Sequence, residues 1–209
     1  MDRLKPDAVL SEASLACLQK QGGELELLTE LAAVHRNLWA LEDQARSRQA
    51  TAEEITRVKR SIDAFNGRRH ELIDRFDASY SAVPVQDRPS SIAPLEVRRF
   101  SETAGELCDR LIILSLKIHN AQAQLEDPSL PATAQGRCRT ALVRLKHWRS
   151  HLSVCLEDLT RALVAGTALL PPRREFKMYN DPVLNPVTRQ EGWSVGEHDR
   201  AEVQGVEVV

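Results

Sequence analysis

Two groups of charged and polar side chains in this sequence recur at spacings of three and four residues. That spacing places side chains on one face of a helix. The first group lies on two consecutive predicted helices and consists of Glu42, Asp43, Arg46, Lys59, Asp63, Asn66 and Arg69. The second group opens the most apolar stretch of the chain and consists of Glu102, Glu106, Asp109 and Arg110. Such groups can bind an anion or a hydroxyl-rich molecule, and an acidic stripe can hold a divalent cation.

Arg69 is the most informative residue of the first group because it stands in a helical seam made otherwise of large apolar residues. We expect its guanidinium to be paired with a carboxylate or with a ligand anion. A structural ion pair and a ligand site account for Arg69 equally well. Lys59 is different, since it fits a solvated flank whose ion pairs contribute about 0–1 kcal/mol. Glu42 lies near the end of one predicted helix, and Lys59 and Asp63 lie near the start of the next. If these helices are antiparallel neighbours, Glu42 meets Lys59 or Asp63.

The carboxylates of Glu102, Glu106 and Asp109 form one stripe, which can hold a cation or pair with Arg69 and Lys59. The spacing Glu106-x-x-Asp109 resembles half of the magnesium motif of all-helical nucleotide pyrophosphohydrolases. No Glu-x-x-Glu on another helix supplies the other half. Metal-dependent hydrolysis or transfer of a phosphate-containing substrate is therefore the alternative function. The sequence contains no Gly-rich phosphate loop, nucleophile elbow or zinc-protease motif. The leading prediction includes neither a cofactor nor a metal site, and both cation binding and anion binding remain open.

A further stripe on the last long helix contains His147, His151 and Cys155. One helix cannot easily wrap three ligands round a single ion. The stripe also borders an apolar seam, so we interpret it as part of the packing rather than as a metal site.

All these residues lie on four predicted helices. Each helix has an apolar seam, that is, a row of apolar residues at spacings of three and four. The seams predict helices from Glu24 to about Arg48, from Thr51 to before Pro84, from about Pro94 or Ser101 to Leu125, and from Ala132 to Val164. Thr51 and Glu54 form a capping-box pattern, and Gly166 suits a helix end. The third helix is apolar on nearly every side from Leu111 to Ile118, so neighbours must surround it.

The predicted fold is all-α, an antiparallel bundle of four long helices with a short N-terminal helix and a non-helical C-terminal strap. Residues 1–22 form the lead-in helix, 23–168 the bundle, 169–188 a strap packed on the bundle, and 189–209 a disordered tail. If the strap crosses the charged groups, Lys177, Tyr179, Asn180 and Asp181 would close a pocket. A purely structural clamp explains the strap equally well.

Composition excludes several classes of protein. A formal net charge of -2 argues against nonspecific binding of nucleic acid. No apolar run approaches the roughly 20 residues of a membrane span, and the N-terminus lacks a basic-then-apolar signal pattern. The four cysteines show no CxxC spacing. We therefore expect a soluble cytoplasmic protein that contacts neither membrane nor nucleic acid.

Four blocks of the sequence carry a family resemblance. They are LWALEDQAR (38–46), EITRVKRSIDAFNGRRHELID (54–74), SETAGELCDRLIILSLKIH (101–119) and FKMYNDPVLNP (176–186). In this order they resemble the conserved blocks of the bacterial family catalogued as domain of unknown function 4254. The resemblance implies an all-helical protein without an established activity, associated with glycosyltransferase and cell-surface polysaccharide genes. This chain departs from the family pattern at Gly67, Phe100, Ala104 and Ile112.

These observations favour a binding or accessory protein with a polar site between helices. The expected ligand is an anionic or sugar-type metabolite, such as a sugar phosphate or nucleotide sugar, bound by Arg69, Arg110, Lys59 and neighbouring carboxylates. The resemblance adds cell-surface polysaccharide metabolism as the setting and glycosyltransferase-pathway proteins as partners. A homo-oligomer built from extended helical seams is a third reading.

Overall fold

The four long helices predicted from the apolar seams are present. The computed structural model describes residues 23–79, 97–170, 181 and 183–190. The elements in chain order are α1 (Glu24–Ala45), α2 (Ala52–Ser79), β1 (Arg98–Arg99), α3 (Ala104–Glu126), α4 (Ala132–Val164), β2 (Ala168–Leu169) and α5 (Pro186–Gln190). The protein is mostly helical, so the prediction of an all-α fold is confirmed.

Local signals at the helix ends account for these boundaries. The amide of Thr51 donates to the Glu54 carboxylate at 2.8 Å, and the Glu54 amide donates to the Thr51 hydroxyl at 3.2 Å. The predicted capping box before α2 is thus confirmed. A second capping box, formed by Thr103 and Glu106, starts α3. Gly166 follows α4 with a φ of 69°, a backbone conformation that glycine adopts without strain.

Helix α3 is the centre of the core. It packs along α4 and contacts both α1 and α2, which pack against each other. Its buried apolar side chains include Leu107, Cys108, Leu111, Ile112, Leu114, Leu116 and Ile118. The fully buried Phe76 of α2 and Leu156 of α4 belong to the same core. The neighbours expected around the apolar stretch of α3 are therefore present.

The core occupies only one half of each long helix. The buried residues of α1 end at His35, those of α2 begin at Ile62, and those of α4 begin at Leu152. In the outer halves the seam residues are only half-buried, as Leu41, Val58 and Leu142 are, and Ile55 is 44 % exposed. Helical spacing shows which side chains share a face, but that face is buried only where another element covers it.

Two short elements differ from the sequence prediction. The parallel pairing of β1 with β2 places Arg98 beside Ala168 and ties the segment before α3 to the end of α4. Helix α5 contradicts the prediction of a non-helical strap, since Pro186–Gln190 is helical. Proline suits the first position of a helix, and the Asn185 side chain accepts a hydrogen bond from the Val187 amide at 3.0 Å.

Several predictions fall on parts of the chain outside the described residues, namely the lead-in helix 1–22, the loop 83–94 and the tail beyond residue 190. The chain divides into two compact units, Met1–Pro171 and Pro172–Val209. Within the described ranges, no helix combines the length and the apolar character needed to cross a membrane.

Candidate functional site

Asp109 is the centre of a cluster of polar side chains from three helices, in which Asp109 and His35 are buried and Arg69 is half-buried. Asp109 on α3 is 3 % exposed, and His35 on α1 is 5 % exposed. Arg69 on α2 donates from Nε to Oδ1 of Asp109 at 2.7 Å and from an Nη to Oδ2 at 2.9 Å. His35 Nε2 lies 2.7 Å from the same Oδ1. The expectation that Arg69 pairs with a carboxylate is confirmed, and the carboxylate belongs to Asp109.

The contacts of this cluster keep Asp109 ionised. Burial alone raises the pKa of Asp109, but the hydrogen bonds from His35 and Arg69 outweigh it, so the pKa lies below the usual range. An ionised carboxylate only accepts hydrogen bonds, so His35 Nε2 must carry the hydrogen of the shared bond. Replacing Arg69 would leave the buried Asp109 carboxylate without its guanidinium partner.

A cleft of about 430 Å³ adjoins the cluster, between α1, α2 and α3. Besides His35, Arg69 and Asp109, its lining consists of Leu38, Trp39, Glu42, Asp43, Arg46, Asn66, Arg110, Ile113 and Lys117. Both charged groups identified in the sequence therefore contribute to one cleft. Apolar walls with a few convergent polar groups are typical of small-molecule sites.

Arg110 is held at this cleft by contacts on two sides. It donates to the Glu102 carboxylate at 2.5 Å, and its guanidinium lies 5.8 Å from the centroid of the Trp148 ring on α4. A cation fixed in this way loses little conformational freedom when it binds an anion. Lys117, also on α3, is exposed and forms no ion pair with any residue of the described ranges.

Other residues of the first charged group pair within their own helices. Glu42 lies 2.9 Å from Arg46 on α1, and Lys59 pairs with Asp63 on α2. The predicted contact of Glu42 with Lys59 or Asp63 is therefore wrong, because residues four apart on one helix meet without help from a neighbour. Lys59 and Asp63 are both exposed and do not line the cleft.

The acidic stripe of α3 does not converge on one point. The Glu106 carboxylate accepts the Thr103 amide at 2.7 Å and closes the helix cap. Glu102 and Asp109 are each bound to a different arginine. In the parts of the chain that the structure describes, no three His, Cys, Asp or Glu side chains are grouped so as to hold a metal ion, and this includes the histidine stripe of α4.

The predicted strap residues are described only in part. Lys177, Tyr179 and Asn180 lie outside the described residues. Asp181 belongs to the C-terminal unit, where its Oδ1 accepts amide hydrogens from the residues two and three positions later at 2.8 and 3.0 Å. Asp181 therefore makes the turn expected of an Asn-Asp-Pro sequence.

His35 is the member of the cluster that the sequence prediction does not include. It lies four residues after Leu31 and four before Trp39, so helical spacing places it on the inward face of α1. That spacing is the only signal in the sequence. A single histidine on an apolar helix face is ordinarily a core residue, and its partner Asp109 is 74 residues away along the chain.

Asp77 on α2 is a second buried carboxylate that sequence reasoning missed. It is 6 % exposed and accepts hydrogen bonds from the Gly105 amide and the Thr103 hydroxyl, both at 2.6 Å. A Cβ atom on Gly105 would lie 2.9 Å from the Asp77 carboxylate and 2.9 Å from the Ile73 carbonyl oxygen. The two helices approach this closely because residue 105 has no side chain. A glycine in the first turn of a capped helix is the signal that points to such an approach.

Comparison with known proteins gives one match. A model of the family described as "Protein of unknown function (DUF4254)" matches residues 25–171. That range includes every residue of the cluster and of the cleft lining. No curated protein and no solved structure matches the chain.

Proposed function

Because the chain belongs to the DUF4254 family, whose description assigns no function, we propose from the site that it is a binding or accessory protein for an anionic or sugar-type metabolite. The ligand would occupy the cleft beside Asp109. The observation that carries the proposal is the combination of a buried ion cluster, an apolar wall and cations in one cleft of about 430 Å³. Apolar walls with a few convergent polar groups are typical of small-molecule binding sites.

The ion cluster supports a functional role, because apolar side chains could stabilise this part of the fold without it. Moving an ion pair out of water costs several kcal/mol per ion, and the attraction between the partners repays this only when the geometry is good. Apolar residues of similar volume would fill the same space at no such cost. Perturbed titratable groups beside a cleft are characteristic of functional sites, and Asp109 is such a group.

The lining residues match the parts of a sugar phosphate or a nucleotide sugar. The half-buried Trp39 offers a ring face for a sugar or a base. Arg110 can bind a phosphate through its planar fork, and Lys117 can add a second charge. The exposed carboxylate of Asp43 can accept hydrogen bonds from hydroxyl groups. Asp109 keeps Arg69 in place at the cluster.

The antiparallel arrangement of the four helices is part of the same proposal. Two contacts between α3 and α4 support it, since Cys138 donates to the Ala121 carbonyl at 3.3 Å and Arg110 lies over Trp148. Later residues of α4 thus accompany earlier residues of α3. The short connections 46–51 and 127–131 also favour antiparallel neighbours.

The wider setting of the proposal is cell-surface polysaccharide metabolism in the cytoplasm, where glycosyltransferase-pathway proteins would be the partners. The free thiols of Cys108, Cys138 and Cys155 are consistent with a reducing compartment. The resemblance of the sequence blocks to the family supports the choice of pathway.

Isothermal titration and thermal shift with UDP-glucose, glucose 1-phosphate and inorganic phosphate test this proposal. The expected result is a raised melting temperature with at least one sugar-bearing compound, lost in Lys117→Ala and Trp39→Ala. Neither side chain belongs to the buried cluster, so both variants should remain folded. Lys59→Ala is the matched control, because Lys59 is an exposed lysine outside the cleft.

Three outcomes separate the readings. Binding of inorganic phosphate alone would show an anion site without sugar specificity. Equal losses in Lys117→Ala and Lys59→Ala would show general electrostatic attraction rather than a site. If none of the three compounds changes the melting temperature or releases heat, the proposed ligand class is wrong.

A further inference from the structure

The outer half of α4 has a second helical seam that faces away from the core. It consists of Gly136, Thr140, Val143, His147, Ser150 and Val154. The spacings alternate between four and three, which is the pattern of the a and d positions of a coiled coil. All six residues are exposed, Val143 to 70 % and Val154 to 56 %. Nothing in the described parts of the chain covers this seam.

Basic side chains flank this outward seam on both sides. In coiled-coil notation the basic side chains are Arg137, Arg144 and His151 at e and Arg139 and Lys146 at g, while Ser153 occupies the third g position. All five basic residues are exposed. None of these arginines and lysines forms an ion pair with a described residue. Residues Ala132–Leu156 contain no Asp or Glu at all.

We propose that this face of α4 docks an acidic amphipathic helix of another protein. The partner helix would place aliphatic side chains against Val143 and Val154 and carboxylates against the flanking cations. Side chains at e and g positions determine which helix a coiled-coil surface accepts. Such charges also accelerate association and exclude wrong partners. The chemistry of the partner follows from charge complementarity along a seam of fixed spacing.

The same charges argue against a second copy of this chain as the occupant. If two α4 helices met along this seam, the cationic flanks would face each other in either relative orientation. Like charges at these positions are a device for preventing self-association. An acidic helix of another protein therefore fits this seam better than a second copy of α4 does.

The distribution of apolar and basic side chains also distinguishes a helix partner from a lipid surface or a nucleic acid. A helix that lies in a membrane interface needs a broad face of large apolar side chains, whereas the exposed seam offers only Val143 and Val154. A phosphate backbone gains nothing from valines in the middle of the face. An amphipathic helix makes use of both features.

Two synthetic helical peptides of about four heptads test the proposal, each with leucine at a and d. One has glutamate and the other lysine at every e and g position. In isothermal titration at low salt, the full chain should bind the glutamate peptide and not the lysine peptide. The affinity should fall as salt rises, because exposed ion pairs are screened.

Charge reversal gives the decisive comparison. Combining Arg137→Glu, Arg139→Glu, Arg144→Glu and Lys146→Glu should weaken binding of the glutamate peptide by about tenfold or more and create binding of the lysine peptide. All four positions are exposed, and an unchanged circular dichroism spectrum would show that the variant remains folded. Arg57→Glu with Arg60→Glu on α2 is the control, since both are exposed arginines on another helix. That control should bind the glutamate peptide as the wild type does.

Three results would overturn the proposal. The first is equal binding of both peptides, or of neither, by the wild-type chain. The second is an equal loss in the α4 variant and the α2 control, which would show attraction to the net charge of the protein. The third is binding of phosphatidylserine vesicles or single-stranded RNA through the α4 cations without binding of the glutamate peptide.

Discussion

Asp77 and Asp109 are both buried carboxylates between helices, yet the partners that the described residues give them differ in kind. Asp77 accepts hydrogen bonds from neutral groups of the first turn of α3, the Gly105 amide and the Thr103 hydroxyl. Asp109 accepts hydrogen bonds from two side chains that can carry positive charge, Arg69 and His35. In the described part of the chain, one carboxylate is bound by a helix terminus, and the other by a guanidinium and an imidazole.

The space around the two carboxylates differs as much as their partners. Asp77 lies against Gly105 so closely that a Cβ atom would not fit. Asp109 lines a cleft. A carboxylate at a helix N-terminus is stabilised by the helix dipole and joins the two elements. A carboxylate that holds an arginine beside open space is the arrangement on which the proposed ligand site rests. Two carboxylates that are equally buried can therefore have very different surroundings.

Among the substitutions that test this comparison, Asp109→Ala should change the free energy of unfolding most. The substitution removes three hydrogen bonds to an ionised carboxylate, so the free energy of unfolding should fall by about 3–5 kcal/mol. Urea unfolding followed by circular dichroism measures the change. Asp63→Ala serves as the control, because Asp63 forms an exposed pair within α2 and should cost about 0.5 kcal/mol or less. Similar losses in the two variants would mean that the cluster contributes no more than a surface ion pair.

Gly105→Ala tests the close packing around Asp77, and it should lower the free energy of unfolding by less than Asp109→Ala does. The new methyl group would meet the Asp77 carboxylate and the Ile73 carbonyl at 2.9 Å. Overpacking of this kind costs about 1–3 kcal/mol. Thermal unfolding should show a lower melting temperature. An unchanged melting temperature would mean that α2 and α3 can separate at this point without cost.

The pH dependence of stability should separate Asp109 from exposed carboxylates. The pKa of Asp109 is lowered in the folded protein, whereas the unfolded chain should titrate near the usual value of about 4. The unfolded state thus binds the proton more readily. The stability from Asp109 is therefore present above about pH 4 and is lost as the pH falls through that value towards the folded pKa.

Asp109→Asn removes this titration, so its unfolding free energy should decline less steeply on acidification than that of the wild type. Urea unfolding from about pH 6 down to about pH 3 follows both proteins through the relevant range. Asp63→Asn should retain the slope of the wild type. If the unfolding free energies of the wild type and Asp109→Asn declined in parallel, the pKa of Asp109 would not be lowered by the cluster.

The smallest change in the free energy of unfolding, and one of opposite sign, is expected from Gly67→Ala. Gly67 lies within α2, is exposed, and a Cβ atom there would meet nothing within 4 Å. Gly67→Ala should therefore raise the free energy of unfolding by about 0.5–1 kcal/mol. Measured beside Gly105→Ala, it separates the intrinsic helix preference of alanine from the steric requirement at position 105. A loss of stability in Gly67→Ala would show an unrecognised requirement for glycine at that position.

The sequence predicted the local features of this fold well because their causes are local. The range Ala132–Val164 of α4 and the Thr51–Glu54 capping box are both as expected, since apolar spacing and caps depend on residues within one or two turns. The β1–β2 pairing escaped prediction, because each strand has two residues and their partners are distant in the chain. Helix α5 was not predicted, because the turn residues around it were interpreted as part of a non-helical strap.

The candidate site was predicted in part for the same reason. Arg69 stood out because a charge in an apolar seam needs a partner, and the structure identifies Asp109 as that partner. The pairing of Glu42 was wrong because a partner one turn away was available on its own helix. His35 and Asp77 gave little signal, since each makes its contacts with residues far along the chain.

The sequence by itself determined that the chain is helical, where the long helices lie and that Arg69 needs a counter-charge. Only the tertiary structure decided which halves of the helices are buried, which carboxylate meets Arg69 and that His35 joins them. It also decided that Glu106 closes a helix cap while Asp109, three residues later, lines a cleft. Helical periodicity depends on neighbours a few residues apart, whereas a cluster drawn from α1, α2 and α3 depends on how those helices pack.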